Sequence, residues 1–328
     1  MGLLVTAPEL TILVPVKDEQ DGIEPFLKRV VPILETEYFG AAAGTGWEIL
    51  FVDDGSTDHT WAAIQAMRAS ESRIQALSLS RNFGKEAALS AGLDYARGRA
   101  IIPIDVDLQD SPEAIPEMLA RWREGYQVVY GIRRSRATDT FSKRATAHLY
   151  YLTHNFMSED KIPPHAGDFR LLDRVVVDVI RRMPERNRFM KGLFSWAGFR
   201  QTAVEYDRSP RDVGETKFRF WKLWTLALDG IASSSTVPLR VWSYVGGAIA
   251  ALSMIYAAII VARTLIFGIE VPGYASLLVF VLLLGGVQLL SLGVLGEYVG
   301  RIFTEVKGRP LYVVRDRLGA FEDQPPTR

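Results

Sequence analysis

Asp105, Asp107 and Asp110 crowd together in IIPIDVDLQDSPE, residues 101–113, directly after an apolar run. Carboxylates this close repel one another unless a cation or a strong set of donors neutralises them. On an extended segment, residues two apart point the same way. Asp105, Asp107 and Gln109 therefore share a parity and offer hard oxygen ligands. Such a set suits Mg²⁺ or Mn²⁺, which usually keeps waters and completes its shell with substrate phosphates. A cation placed there absorbs charge developing on a departing diphosphate. Asp110 also fits a plainer role, capping the helix that starts at Ser111–Pro112.

A scaffold must hold these groups, and the first 160 or so residues describe one. LTILVPV (10–16), WEILFVDDG (47–55), IQALSLS (74–80), AIIPIDVD (100–107) and YQVVYGIR (126–133) read as strands. Between them lie helix-forming segments beginning near Gly22, Thr57, Lys85 and Pro112. Strands separated by helices of about ten to fifteen residues predict crossover units and a mostly parallel sheet covered on both faces. Ligands of such sheets bind at the carboxyl ends of the strands. The polar residues gather there: Lys17 and Glu19, Asp53 and Asp54, Asp105 and Asp107, Arg133 and Arg136. Four converging loops make a candidate site.

Composition removes other chemistries. The chain of 328 residues has no cysteine, so disulfides, thiolate metal sites and cysteine nucleophiles are excluded. His59, His148, His154 and His165 are scattered, without zinc spacing. Lys plus Arg and Asp plus Glu balance at 38 each, so charge gives no reason to expect nucleic acid as a partner. The start, MGLLVTAPELTILVPV, reads as a first strand rather than a signal peptide.

Further along, residues 244–262 and 275–296 carry no charge, and each is long enough to cross a bilayer as a helix. Lys222 and Arg240 precede the first stretch; Arg301, Lys307 and Arg309 follow the second. That asymmetry predicts a multi-pass hairpin in the plasma (inner) membrane, with both ends and the large N-terminal part in the cytoplasm. The segment KFRFWKLWTLALDGIASSS, 217–235, mixes aromatic and basic residues as an interfacial helix does. The expected division is a catalytic domain at 1–216, an amphipathic region at 217–237, a two-helix hairpin at 238–298 and a tail at 299–328. In the tail, turn residues around a short strand in EVKGRPLYVVRD predict a β-hairpin.

FVDDGSTDHT, SRNFGKEAAL, DVDLQDSPE, YGIRRSR, HAGDFRLLDR and RDVGETKF occur in this order before the two apolar stretches. In these motifs the chain resembles the polyprenyl-phosphate glycosyltransferases of glycosyltransferase family 2. It is most similar to the bactoprenol (undecaprenyl-phosphate) glucosyltransferase subgroup, and similar also to dolichol-phosphate mannose synthases. The resemblance runs from about Leu10 to Asp316; Thr216 and Phe218 stand where Ser and Tyr are more usual.

The resemblance implies an inverting GT-A (Rossmann-like) fold. It implies that Pro15, Val16 and Glu19 form the first nucleotide-contacting loop, and that Asp53 and Asp54 are the acidic pair beside the uracil. Asp105, Asp107 and Gln109 match the Mg²⁺ or Mn²⁺ motif, and Asp105 also the donor site. Asp168 matches the catalytic base; Arg133, Arg136, Arg208, Arg211 and Lys217 match basic positions facing the phosphorylated substrates. The implied reaction moves a hexose, glucose from UDP-glucose first among the donors, onto polyprenyl phosphate at the cytoplasmic membrane face. GDP-mannose, UDP-GlcNAc, UDP-galactose or a UDP-aminoarabinose-type sugar are the alternative donors. Relatives in the subgroup imply a homo-tetramer. A membrane scaffold without activity gives no reason for carboxylates at strand ends. A processive polysaccharide synthase resembles others of its kind in a Q-x-x-R-W motif, which does not occur here.

Overall fold

The computed structural model describes residues 7–38, 46–133, 166–186, 188, 190–206 and 273–321, together with positions 246, 248, 249, 252, 255, 256, 259, 262, 265 and 266. The sheet begins with β1 (Leu10–Val16), β2 (Trp47–Asp53) and β3 (Ile74–Leu79), whose side chains are buried on both faces except at half-buried Pro15. Near-continuous apolar runs do this because helices must cover both sides of a parallel sheet. β4 (Ala100–Pro103), β5 (Val128–Arg133), β6 (Ala166–Asp173), β7 (Gln201–Tyr206) and β8 (Val314–Leu318) complete the order β7-β5-β6-β4-β1-β2-β3-β8. The central run β4-β1-β2-β3 is parallel throughout, as is the β5–β7 pair. β6 enters antiparallel between β4 and β5, and β8 lies antiparallel on β3.

Strand alternation sorts the core into two layers. On one face Leu10, Ile12, Val14, Ile49 and Phe51 pack with Phe26 and Val30 of α1 (Ile23–Glu37), Ile64 of α2 (Thr60–Ser70) and Met118 and Trp122 of α4 (Ile115–Arg123). On the other, Leu13, Leu50, Val52 and Leu77 meet Ala88 and Leu89 of α3 (Lys85–Tyr95), Val177 and Ile180 of α5 (Arg174–Arg182) and Phe194 of α6 (Met190–Trp196). Helix α3 lies so close to β1 that a Cβ on Gly92 would stand 2.0 Å from Leu13 Cδ1.

A buried polar knot ties the opposite, amino-terminal end of the sheet. Glu48 in β2, 2 % exposed, accepts from Thr11 Oγ1 (2.7 Å) and from Arg97 N (3.0 Å) and Nε (2.9 Å). The Gly98 amide in turn donates to Thr11 Oγ1 at 2.8 Å.

Three expectations change. β4 stops at Pro103, so Asp105 and Asp107 sit in the following turn rather than on a strand. The tail strand forms no hairpin among the described residues; β8 instead extends the main sheet, pairing Leu318 with Ala76 and Val314 with Leu79. Among the described residues no helix is long and apolar enough to cross a membrane, so they do not support the two expected spans. The first stretch is described only at isolated positions. The second lies in α7 (Tyr274–Lys307), a helix of 34 residues closed by Gly308 in the left-handed conformation, part of whose side chains lie outside the description. The predicted interfacial helix, 217–235, lies outside the described residues.

Candidate active site

A cavity of about 320 Å³ opens where β1, β2 and β4 end. Its wall carries Pro15, Val16, Glu19, Asp54, Asp105 and Asp107, gathered from three separate stretches of sequence. Lys17, Asn82, Gly84 and Lys85 share it. Asn82, Gly84 and Lys85 come from the β3–α3 loop and the start of α3, and sequence reasoning did not assign them to the site. Their signal was available in SRNFGKEAAL, where a glycine opens a helix beside a strand end.

Asp53 ends β2 and Asp54 follows it, and the two acids take different partners. Asp53, 1 % exposed, turns into the sheet: it accepts from the Ser56 amide (2.9 Å) and from Ser78 Oγ (3.1 Å). Ser78 Oγ also accepts from Arg315 of β8 at 2.9 Å. Asp54 faces the cavity, accepting from the amides of Phe83 (2.7 Å) and Gly84 (2.9 Å). Burial pushes the Asp54 carboxyl above its ordinary value, against the pull of those two bonds. Thus Asp54 both lines the cavity and holds its far wall.

The loop after β1 is laced to the loop after β2. Asp18, in the left-handed conformation at φ 54°, accepts from the Thr57 amide at 2.7 Å, and its own amide donates to Ser56 Oγ at 2.9 Å. The Lys17 ammonium at 2.6 Å, followed by the Thr57 amide, holds the Asp18 carboxyl down at about 2. The Glu19 amide donates to Thr60 Oγ1 at 2.9 Å. These bonds fix the backbone on which Glu19 is presented.

In the turn after β4, Val106 and Leu108 are 5 % and 6 % exposed and anchor the chain in the core. Asp105 and Asp107 are left facing the cavity between them. The expected common direction of the two carboxylates therefore holds for a different reason: buried apolar neighbours, not strand pleat, set it. Leu108 adopts φ 52°, and the Gln109 amide donates to Asp107 Oδ1 at 3.2 Å. Gln109 does not line the cavity. Asp105 accepts from Lys85 Nζ at 2.8 Å. Asp110 accepts from the Tyr206 hydroxyl of β7, and does not cap the following helical turn with its side chain. Tyr206 packs edge-on against Phe169, 5.4 Å between ring centres. A smaller adjoining pocket joins Phe169 to Asp105, Asp110 and Lys85, so β6 delivers the backbone of Asp168 beside the same site.

Of the remaining predicted residues, Arg133 ends β5 and Asp168 lies in β6, but their side chains are outside the description. Arg136, Arg208, Arg211 and Lys217 lie outside the described residues altogether. Among the described residues no three or more histidine or carboxylate side chains stand together so that they could hold a metal ion by themselves. Two carboxylates at an open cavity nevertheless fit a hard divalent cation that draws its remaining ligands from phosphate and water.

Residues 11–181 match the family profile described as Glycosyl transferase family 2. The chain belongs to that family. It is a glycosyltransferase with a GT-A-like α/β fold. Residues 237–302 match a second profile, the GtrB C-terminal hairpin. This glycosyltransferase is 52 % identical to an uncharacterized glycosyltransferase of Synechocystis sp., over 95 % of this chain and 96 % of that one. It is 49 % identical to the SfII prophage-derived bactoprenol glucosyl transferase of Shigella flexneri, over 94 % and 97 %. Among solved structures, glucosyl-3-phosphoglycerate synthase from Mycobacterium tuberculosis with Mn²⁺, UDP-glucose and phosphoglyceric acid aligns at a TM-score of 0.44 and 17 % identity, covering 68 % of this chain and 77 % of that one.

Proposed function

We propose that this enzyme transfers glucose from UDP-glucose to polyprenyl phosphate by a single inverting displacement. The observation that carries the reading is the convergence of Pro15, Val16, Glu19, Asp54, Asp105 and Asp107 on one cavity at the strand ends. Relatives about half identical over nearly the whole chain and named bactoprenol glucosyl transferases support the sugar and the lipid.

In this reading Glu19 and Asp54 border the nucleotide, and Asp105 and Asp107 hold a Mg²⁺ or Mn²⁺ ion. When bound, that ion supplies positive charge against the departing diphosphate. Arg133, Arg136, Arg208, Arg211 and Lys217 would offset the repulsion between two anionic substrates. A phosphate monoester has a second pKa of about 6 and is mostly deprotonated at neutral pH. Asp168 therefore has less to do as a proton acceptor than as a group that orients the acceptor. Leu277, Phe280, Leu289 and Leu292, all more than half exposed along α7, support a bilayer as the surroundings of that helix. Charge asymmetry around residues 244–296 supports a cytoplasmic catalytic domain.

The test is transfer of radiolabelled sugar from a panel of UDP- and GDP-sugars to undecaprenyl phosphate, with and without EDTA. UDP-glucose should lead the panel, EDTA should stop transfer, and Asp107→Ala should abolish it while membrane insertion persists. Preference for another donor would change the sugar assignment. Full transfer by Asp107→Ala would remove the cation from residues 105–107.

A further inference from the structure

Lys85 is the first residue of α3, and it lines both the larger cavity and the pocket beside it. Its ammonium lies 2.8 Å from Asp105 Oδ2, with the lysine side chain 44 % and the aspartate side chain 40 % exposed. Among the described residues, Asp107, Asp54, Glu19 and Lys17 are the other charged groups around the larger cavity, and Asp110 borders the smaller pocket. A tethered monovalent cation thus sits on an oxygen that the proposed function gives to a divalent ion. Both cannot keep the same close geometry on that oxygen, because like charges at such range repel.

From this geometry we propose that Lys85 couples cation binding to diphosphate binding. With the nucleotide absent, its ammonium occupies Asp105 and opposes entry of a divalent ion. With a diphosphate in the cavity, the ammonium transfers to the phosphate oxygens and leaves Asp105 to the ion. The ammonium has three donors on a flexible four-carbon stem, so it can exchange one anionic partner for another. Coupling of this kind is reciprocal: each ligand strengthens the other by the same factor. The inference rests on the reading of Asp105 and Asp107 as cation ligands.

Mn²⁺ binding to the full-length chain, followed by electron paramagnetic resonance with and without UDP, tests it without reference to turnover. An exposed pair of this kind opposes the ion by roughly two- to fivefold, so Lys85→Met should bind Mn²⁺ alone that much more tightly than wild type. Loss of a charged contact to diphosphate should reduce the tightening produced by UDP by about tenfold. Lys85→Arg, which keeps the charge, should retain most of the tightening. Unchanged or weaker binding of Mn²⁺ alone by Lys85→Met, or undiminished tightening by UDP, would overturn the role of Lys85. If wild type binds no Mn²⁺ even with UDP, the cation reading of residues 105–107 fails instead, and this proposal with it.

Discussion

Gly55 follows the acidic pair, and replacing it with alanine should damage, through a traceable route, the cavity proposed to take the nucleotide. A Cβ there would stand 2.4 Å from the carbonyl carbon of Arg81 and 2.6 Å from the amide nitrogen of Asn82. Those are backbone atoms, so no side-chain rotation relieves the overlap. Gly55 also has φ 65°, where an L side chain costs about 1–2 kcal/mol. Overpacking adds about 1–3 kcal/mol, giving roughly 2–5 kcal/mol in all. Stabilities of natural domains run to about 5–15 kcal/mol, so the variant should fold but weakly. The displaced segment carries Asn82, Gly84 and Lys85 of the cavity wall and the two amides that Asp54 holds. UDP affinity should therefore fall with stability. Gly198→Ala is the matched control: φ is 67°, but the nearest atom to its Cβ is 3.7 Å away. It should lose only the backbone part, about 1–2 kcal/mol, and leave UDP binding alone. Urea unfolding followed by tryptophan fluorescence, and UDP titration calorimetry, separate the two. Destabilisation equal within about 0.5 kcal/mol, or unchanged UDP affinity in Gly55→Ala, would refute the argument that the two loops touch.

Two further outcomes probe the scaffold. Glu48→Ala should cost about 3 kcal/mol, the low end for a broken buried pair, because Arg97 remains 24 % exposed and can reach water; an unchanged urea midpoint would refute this. At Glu113, burial raises the carboxyl, but the Arg29 fork (2.8 and 3.0 Å) and the Ser111 hydroxyl outweigh it and hold it at about 2, below its ordinary 4.5. A lowered folded-state value stabilises above the unfolded pKa and is lost as pH falls through the folded one. The Glu113 side chain is 53 % exposed, so solvent screening leaves about 0.5 kcal/mol. The midpoint gap between wild type and Glu113→Gln should be present at about pH 6 and close between 4.5 and about 2. A gap that widens on acidification would contradict it.

The sequence announced the parallel core because β1, β2 and β3 are short apolar runs between helix signals, a pattern that few other arrangements accept. It announced a short strand in the tail, but not that this strand, β8, would join the main sheet beside β3. VRDRL is mostly charged, as edge strands are, and its partner β3 lies more than two hundred residues away. The consequence reaches the site: Arg315 of that strand donates to Ser78, which donates to Asp53, so a tail beyond the apolar helix α7 braces the acidic pair. The same contrast runs through the site itself. Parallel strands deliver their loops to one end, so the residue types at those ends were legible as a set. What each side chain holds was not. Asp53 and Asp54 are adjacent and identical, yet one is spent on the sheet and the other on the cavity wall, because Asp53 ends β2 beside Ser78 of β3 and Asp54 begins the loop that meets the amides of Phe83 and Gly84. Lys85 stands twenty residues from Asp105 and meets it only because α3 starts where β4 ends. Partnerships that cross from one βα unit to the next leave no periodic trace. The sequence can therefore name the acids of this site, but the ammonium that answers Asp105 comes from the first turn of a neighbouring helix.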